Sequence, residues 1–194
     1  ANNASNPQFI YSDSLRSTMY AHDPMMSMVK AEDFAKADYD RMLAIAKERT
    51  ANAADFTFNF VGSFDPEVLR PLVEKYIATL PACMCRETIK PVEHFAKGEH
   101  LNHFTVPMEN PAASVYVIYS GTSKYNMRKG IMMDIFSQIM DIVYTETIRE
   151  QEGGTYGVGT SADINNLNNE WMFLFGFDTN VEKQEYLKNR AKEE

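Results

Sequence analysis

Apolar positions near the start of the chain recur at helical spacing. Phe9, Ile10 and Leu15 lead to a break at Asp23-Pro24. In AEDFAKADYDRMLAIAKERTA, Phe34, Tyr39, Met42, Leu43 and Ala46 return every three to five residues, the pattern of a helix with one apolar face. Asp38 stands where its N-cap belongs. The period then drops to two. FTFNFVGSF alternates Phe56, Phe58 and Phe60 with Thr57, Asn59 and Val61, which predicts a strand. Asp65-Pro66 predicts a helix start, with Asp as cap and Pro at the first helical position. Val68, Leu69, Leu72, Val73, Tyr76 and Ile77 form its apolar stripe. Pro71 opposes that helix by removing a backbone bond, but one residue does not outweigh six periodic ones.

Residues 81–98 are irregular and mixed in charge, and read as a connecting arm. Two strands are predicted after it, one over His100 to Val106 and one in ASVYVIYSGT, with Pro107 to Pro111 as the turn. Residues 126–150 form the longest helix. Met132, Ile135, Phe136, Ile139, Met140 and Val143 give a wide apolar face, and Asp134, Gln138, Asp141 and Thr145 a narrow polar stripe. Such a helix should be mostly buried, packed on a sheet and touching a neighbour. Gly153-Gly154 ends it. The strands TYGVGTSADI and EWMFLFGFDT follow, joined across Asn165 to Asn169, and a last helix begins near Val181. This order predicts an α+β domain, with helices packed on a largely antiparallel sheet. It reads as a single domain over 1–194, with a helical lead-in at 1–50 and the sheet and its helices at 51–194.

With 194 residues, 44% hydrophobic and 24% charged, the chain has the composition of a globular domain. A net charge of −8 excludes the usual nucleic-acid binder, which clusters Lys and Arg. No apolar run is long enough to span a bilayer. The opening ANNASNPQF lacks a basic and apolar leader pattern, and the chain reads as a segment of something longer. Cys83 and Cys85 are separated only by Met84. A bridge across one residue is unfavourable, so two reduced loop thiols are expected.

Most chemical signatures fail. A helical H-x-x-E-H would place two imidazoles and a general base at one metal. Both Glu-His pairs, Glu93-His94 and Glu99-His100, have Lys90 and Ala96 where the first His should stand. His100 and His103, read as strand residues, would point to opposite faces. The glycine-rich run after the long helix leads into a strand, the reverse of a dinucleotide loop, and no G-x-S-x-G elbow is present. Asp134, Asp141 and Glu146 fit a solvated helix face. Trp171, Phe173, Phe175 and Phe177 fit core packing.

IREQEGGTYGVGTS survives. Arg149 sits in the last turn of a long helix, two glycines reverse the chain, and Tyr156 opens the next strand on the face of Val158 and Thr160. Gly157, Gly159 and Ser161 lie opposite, where a backbone or ligand could approach closely. A guanidinium and a phenol at one sheet edge can hold a peptide carbonyl or a developing oxyanion. The residues equally allow a structural arrangement, with Arg149 paired to Glu146 or Glu150 and Tyr156 capping the core.

The R-E-x-x-G-G-x-Y segment at Arg149 to Tyr156 resembles one in the second half of the pitrilysin/insulinase family of zinc metallopeptidases, peptidase family M16. FTFNFVGSFDPEVLRPLVEKYIATLP is similar to that family's strand-helix block, and order and spacing agree over most of residues 9–180. The resemblance implies an M16 (LuxS/MPP-like) domain of the non-zinc-binding, C-terminal type. It implies that Arg149 and Tyr156, seven residues apart, contact substrate backbone and assist the tetrahedral intermediate. It places no cofactor on this segment, and zinc in a zinc-bearing N-terminal-type half, in the same chain or a separate subunit. The implied ligand is a peptide substrate, in a periplasmic or exported setting. The alternative is a binding module that completes the protease chamber without a chemical contribution. In either role the chain alone is expected not to cleave peptides, with or without zinc. Metal-dependent cleavage by the purified chain would overturn that.

Overall fold

The computed structural model describes residues 6–91 and 93–194. Residues 1–5, part of the opening run read for a leader, and Val92 in the arm lie outside them. In chain order the elements are α1 (Pro7–Met19), α2 (Ala31–Ala35), α3 (Tyr39–Arg49), α4 (Pro66–Tyr76), β1 (Ala113–Thr122), α5 (Met127–Tyr144), a π-helical turn (Thr145–Gln151), β2 (Thr155–Ile164), β3 (Glu170–Thr179) and α6 (Gln184–Glu193). They form two compact units, the described part of Ala1–Met28 with Pro91–Glu194, and Val29–Lys90. α1 falls in the unit that holds the sheet.

The sheet unit is antiparallel throughout, in the order β1-β3-β2. Its register aligns Val115, Phe177 and Val158 across the three strands, then Val117, Phe175 and Thr160. These side chains share one face because strand residues alternate. Phe173, Phe175 and Phe177 are buried there with Val158, Ala162, Tyr144 and Ile148, the core role expected for the aromatic row. Phe136 meets the Phe173 ring edge-on at 4.8 Å, and Tyr144 lies 5.1 Å from Phe175. Asn169 turns the β2–β3 hairpin at φ 60, a left-handed conformation Asn tolerates. Its side chain and carbonyl accept from Tyr125 and Ser123 N–H (2.9 and 2.8 Å).

α5 reaches the sheet through Met133, Phe136, Ser137, Met140 and Tyr144, with Ile148 beyond its end, rather than through the whole predicted apolar face. Met132, Ile135, Phe136 and Ile139 stay 40–56% exposed. Polar contacts set this rotation. The Thr160 hydroxyl lies 2.7 Å from an Asp141 carboxylate oxygen and 2.9 Å from the Ser137 carbonyl, and the Thr160 N–H donates to the same Asp141 oxygen at 3.1 Å. Asp141 is therefore a tether between helix and strand, not a member of a purely solvated stripe.

On the other sheet face, Tyr116 covers Gly176, where an added Cβ would lie 2.6 Å from the ring. Tyr11 of α1 packs 5.7 Å from Tyr116 and 6.1 Å from Phe104. Residues 100–106 form no strand. Their bonds go to α1 instead, since the Asn102 amide donates to the Ser14 and Thr18 hydroxyls at 2.8 Å each. His100 correspondingly faces the Lys97 carbonyl at 2.9 Å, and the opposed-face reading of His100 and His103 lapses. Buried Glu170 draws in the neighbouring arm, accepting from Phe95 N–H at 3.2 Å with His94 Nδ1 at the same distance.

In Val29–Lys90 the predicted caps form. Asp38 accepts from Arg41 N–H and Asp65 from Glu67 N–H, both at 2.9 Å. α4 tolerates Pro71 in its interior. FTFNFVGSF is not a strand, because this unit otherwise holds only helices and turns and offers no ladder partner. Cys83 and Cys85, expected as free thiols, form a disulfide with their Cα atoms 5.2 Å apart, inside the range a disulfide spans. Asn52 shapes the loop that permits it. Its Oδ1 accepts from Cys83 N–H at 2.9 Å and its Nδ2 donates to the Cys85 carbonyl at 2.8 Å.

Tyr144 is only 2% exposed. Burial first, then Tyr119 and Glu194, push its phenol from the ordinary 10.0 up to about 12. With the folded value above the unfolded one, the neutral phenol's contribution is complete below the unfolded value and is lost as pH rises through the folded one. Melting curves taken between about pH 9 and 12 should therefore fall more steeply for the native protein than for Tyr144→Phe. Equal slopes would contradict the assignment.

Candidate functional site

The segment from Arg149 to Tyr156 is shaped by a change of helical winding. α5 ends at Tyr144 and the chain continues as a π-helical turn to Gln151, a wider winding often found at functional positions. Ile148 is fully buried in this turn while Arg149 faces solvent. Glu152 N–H donates to the Thr147 carbonyl (3.3 Å) and Gly153 N–H to the Arg149 carbonyl (3.1 Å). Gly153 has φ 59, the left-handed cap that favours glycine.

α6 backs the turn. Leu187 is buried against Gly154, where an added Cβ would come 2.6 Å from Leu187 Cδ1. Tyr186 donates its phenol O–H to Glu152 (2.9 Å), and Arg190 Nε lies 3.5 Å from the same carboxylate. That hydrogen bond to Glu152 is the first cause raising the Tyr186 phenol above its ordinary value. Glu152 is thus committed to α6.

Tyr156 is 100% exposed and Val158 only 6%. The two do not share the covered face predicted from alternation, because a β-bulge shifts the register between Thr155 and Val158. The arrangement with Arg149 on Glu146 or Glu150 and Tyr156 capping the core is not the one formed. Among the described residues neither side chain makes a hydrogen bond or ion pair. Gly157 and Gly159 have no atom within 4 Å of a built Cβ, so the space over them is open. What stands at the site is a free guanidinium and a free phenol on either side of one anchored turn. Sequence reading missed Glu152 and Leu187 as its supports, since their partners lie about thirty or more residues away in the chain.

His94 faces Glu170, His100 faces a carbonyl, and His22 Nδ1 lies 2.7 Å from the Ser17 hydroxyl. Among the described residues no three His, Cys, Asp or Glu side chains gather as metal ligands. No helix among them is long and apolar enough to cross a membrane.

Gly154→Ala should cost about 1–3 kcal/mol of stability through overpacking on Leu187, whereas Gly157→Ala should change it by less than about 1 kcal/mol. Chemical denaturation of both variants checks the contrast. Equal losses would contradict the geometry.

A search of curated protein sequences finds no match. Among solved structures, the fold is similar to the periplasmic protease PqqL from Escherichia coli, with a TM-score of 0.80 at 20% identity over 97% of this chain. It is also similar to the ferredoxin protease FusC, solved as a mutant in complex with Arabidopsis ferredoxin, with a TM-score of 0.78 at 15% identity over 100% of this chain. At these identities the likeness speaks to fold alone, and the chain spans 21% of the length of each. The profile described as "Peptidase M16 inactive domain" matches residues 36–194, and the chain therefore belongs to the M16 peptidase family, as a domain of that inactive type.

Proposed function

We propose that this domain helps an M16 zinc metalloendopeptidase hold an extended peptide and stabilises the tetrahedral intermediate of its hydrolysis. Arg149 and Tyr156 would both act as donors, their guanidinium N–H and phenol O–H directed at substrate carbonyl oxygens, one of which gathers negative charge as the peptide bond is attacked. Zinc and the general base belong in this reading to a zinc-bearing N-terminal-type half, in the same polypeptide or a separate subunit.

The observation that carries the reading is the unpaired state of both side chains beside a turn that α6 backs. A guanidinium that served only the fold would ordinarily find a carboxylate, and Glu152 nearby is instead bound to Tyr186 and Arg190. A phenol that served only the core would be buried. The open space over Gly157 and Gly159 leaves room for a substrate main chain next to Tyr156.

Arg149→Ala and Tyr156→Phe, introduced into the intact peptidase, test this on a mixed library of quenched-fluorescent peptides. Loss of one such donor should lower kcat on the order of 100-fold, with melting temperature unchanged because neither side chain has a partner to lose. Unchanged turnover in both variants would assign the domain to the scaffolding role instead.

A further inference from the structure

Tyr156 has no side-chain bond to hold it, so its position must come from its backbone. That backbone is irregular. β2 pairs Thr155 with Thr179 and resumes with Val158 opposite Phe177, which leaves Tyr156 and Gly157 together opposite one β3 residue. A bulge of this kind breaks the ladder and leaves main-chain groups without their strand partner.

One side chain fills the gap. The Thr155 hydroxyl donates to the Gly157 carbonyl at 3.0 Å and accepts from the Gly157 N–H at 3.3 Å. Both backbone groups of the residue after Tyr156 are thereby tied to the side chain of the residue before it. Thr155 is itself anchored through its pairing with Thr179, whose hydroxyl donates to the Gly154 carbonyl at 2.6 Å. A β-branched side chain has few χ1 rotamers, so Thr braces the bulge more firmly than a freely rotating hydroxyl would.

We propose that Thr155 is the positioning residue for Tyr156, holding the bulge that turns the phenol away from the core and toward substrate. It acts through Tyr156 and does not itself touch the reacting atoms. The inference rests on the role given to Tyr156 above.

The experiment is a double-mutant cycle in the intact peptidase, with the same peptide library as probe. Thr155→Val keeps the shape and removes the hydroxyl. Thr155→Ala runs in parallel in case the added methyl of Val disturbs folding, and Thr155→Ser restores the hydroxyl. Removing the hydroxyl should lower kcat on the order of tenfold or more, with KM little changed, because misplacing a donor weakens the transition state. Thr155→Ser should recover most of that loss. In a Tyr156→Phe background the Thr155 substitutions should cost nothing further, since coupled residues are not additive. A Tyr156→Phe loss accompanied by unaffected Thr155 variants, or by losses that multiply, would overturn the positioning role and leave that of Tyr156 standing. An inert Tyr156→Phe would remove the reading of Tyr156, and the inference with it.

Discussion

Burial of the β3 aromatic row, in one core with residues of α5, the π-helical turn and α6, is the contact on which the sheet unit depends. Phe173, Phe175 and Phe177 occupy the central strand, so each is flanked by side chains of β1 and β2 as well as covered from above. Full burial of one such side chain contributes about 1.5–3 kcal/mol, and no other strand buries three large rings in line. The contact also fixes which side of α5 turns inward. Ser137 and Asp141 complete the orientation by bonding Thr160, so helix and strand are aligned by one apolar stripe and one polar tether.

The turn carrying Arg149 and Tyr156 is the first consequence. Ile148 stays in the core as the winding widens, and its neighbour Arg149 is left in solvent. Gly153 supplies the left-handed cap, and Gly154 lets Leu187 of α6 approach at a distance no Cβ would allow. The two glycines therefore answer different demands, one conformational and one steric. α6 also takes up Glu152 through Tyr186 and Arg190. Arg149 and Tyr156 are left exposed and unpaired on either side of that turn.

The Val29–Lys90 unit is held by different means. None of its residues is buried, and helix caps and the Asn52 hydrogen bonds give it local order. Asn52 joins a 3-10 turn (Ala53–Asp55) to the Cys83–Cys85 loop, and Asp55 adds a bond from Glu87 N–H at 3.0 Å. Met84 projects outward between the bridged cysteines.

Local rules were readable in the sequence wherever the cause lies within a few residues. The caps at Asp38 and Asp65, the helix starting at Pro66, the three strands of the sheet and the Asn165 to Asn169 turn all stand where spacing and turn chemistry put them. So does the core role of the aromatic row, and the R-E-x-x-G-G-x-Y segment carries the resemblance to the family. Period-two alternation in FTFNFVGSF reported an extended segment but could not supply the second strand a ladder needs. The apolar surface of α5 was legible, yet which part faces the sheet follows from Thr160, and Tyr156 left its expected face because a bulge reset the alternation. Sequence by itself determined the caps, most of the helices and the three strands of the sheet. Partner choice, rotation and exposure were decided by tertiary contacts, because each depends on residues brought together from distant parts of the chain.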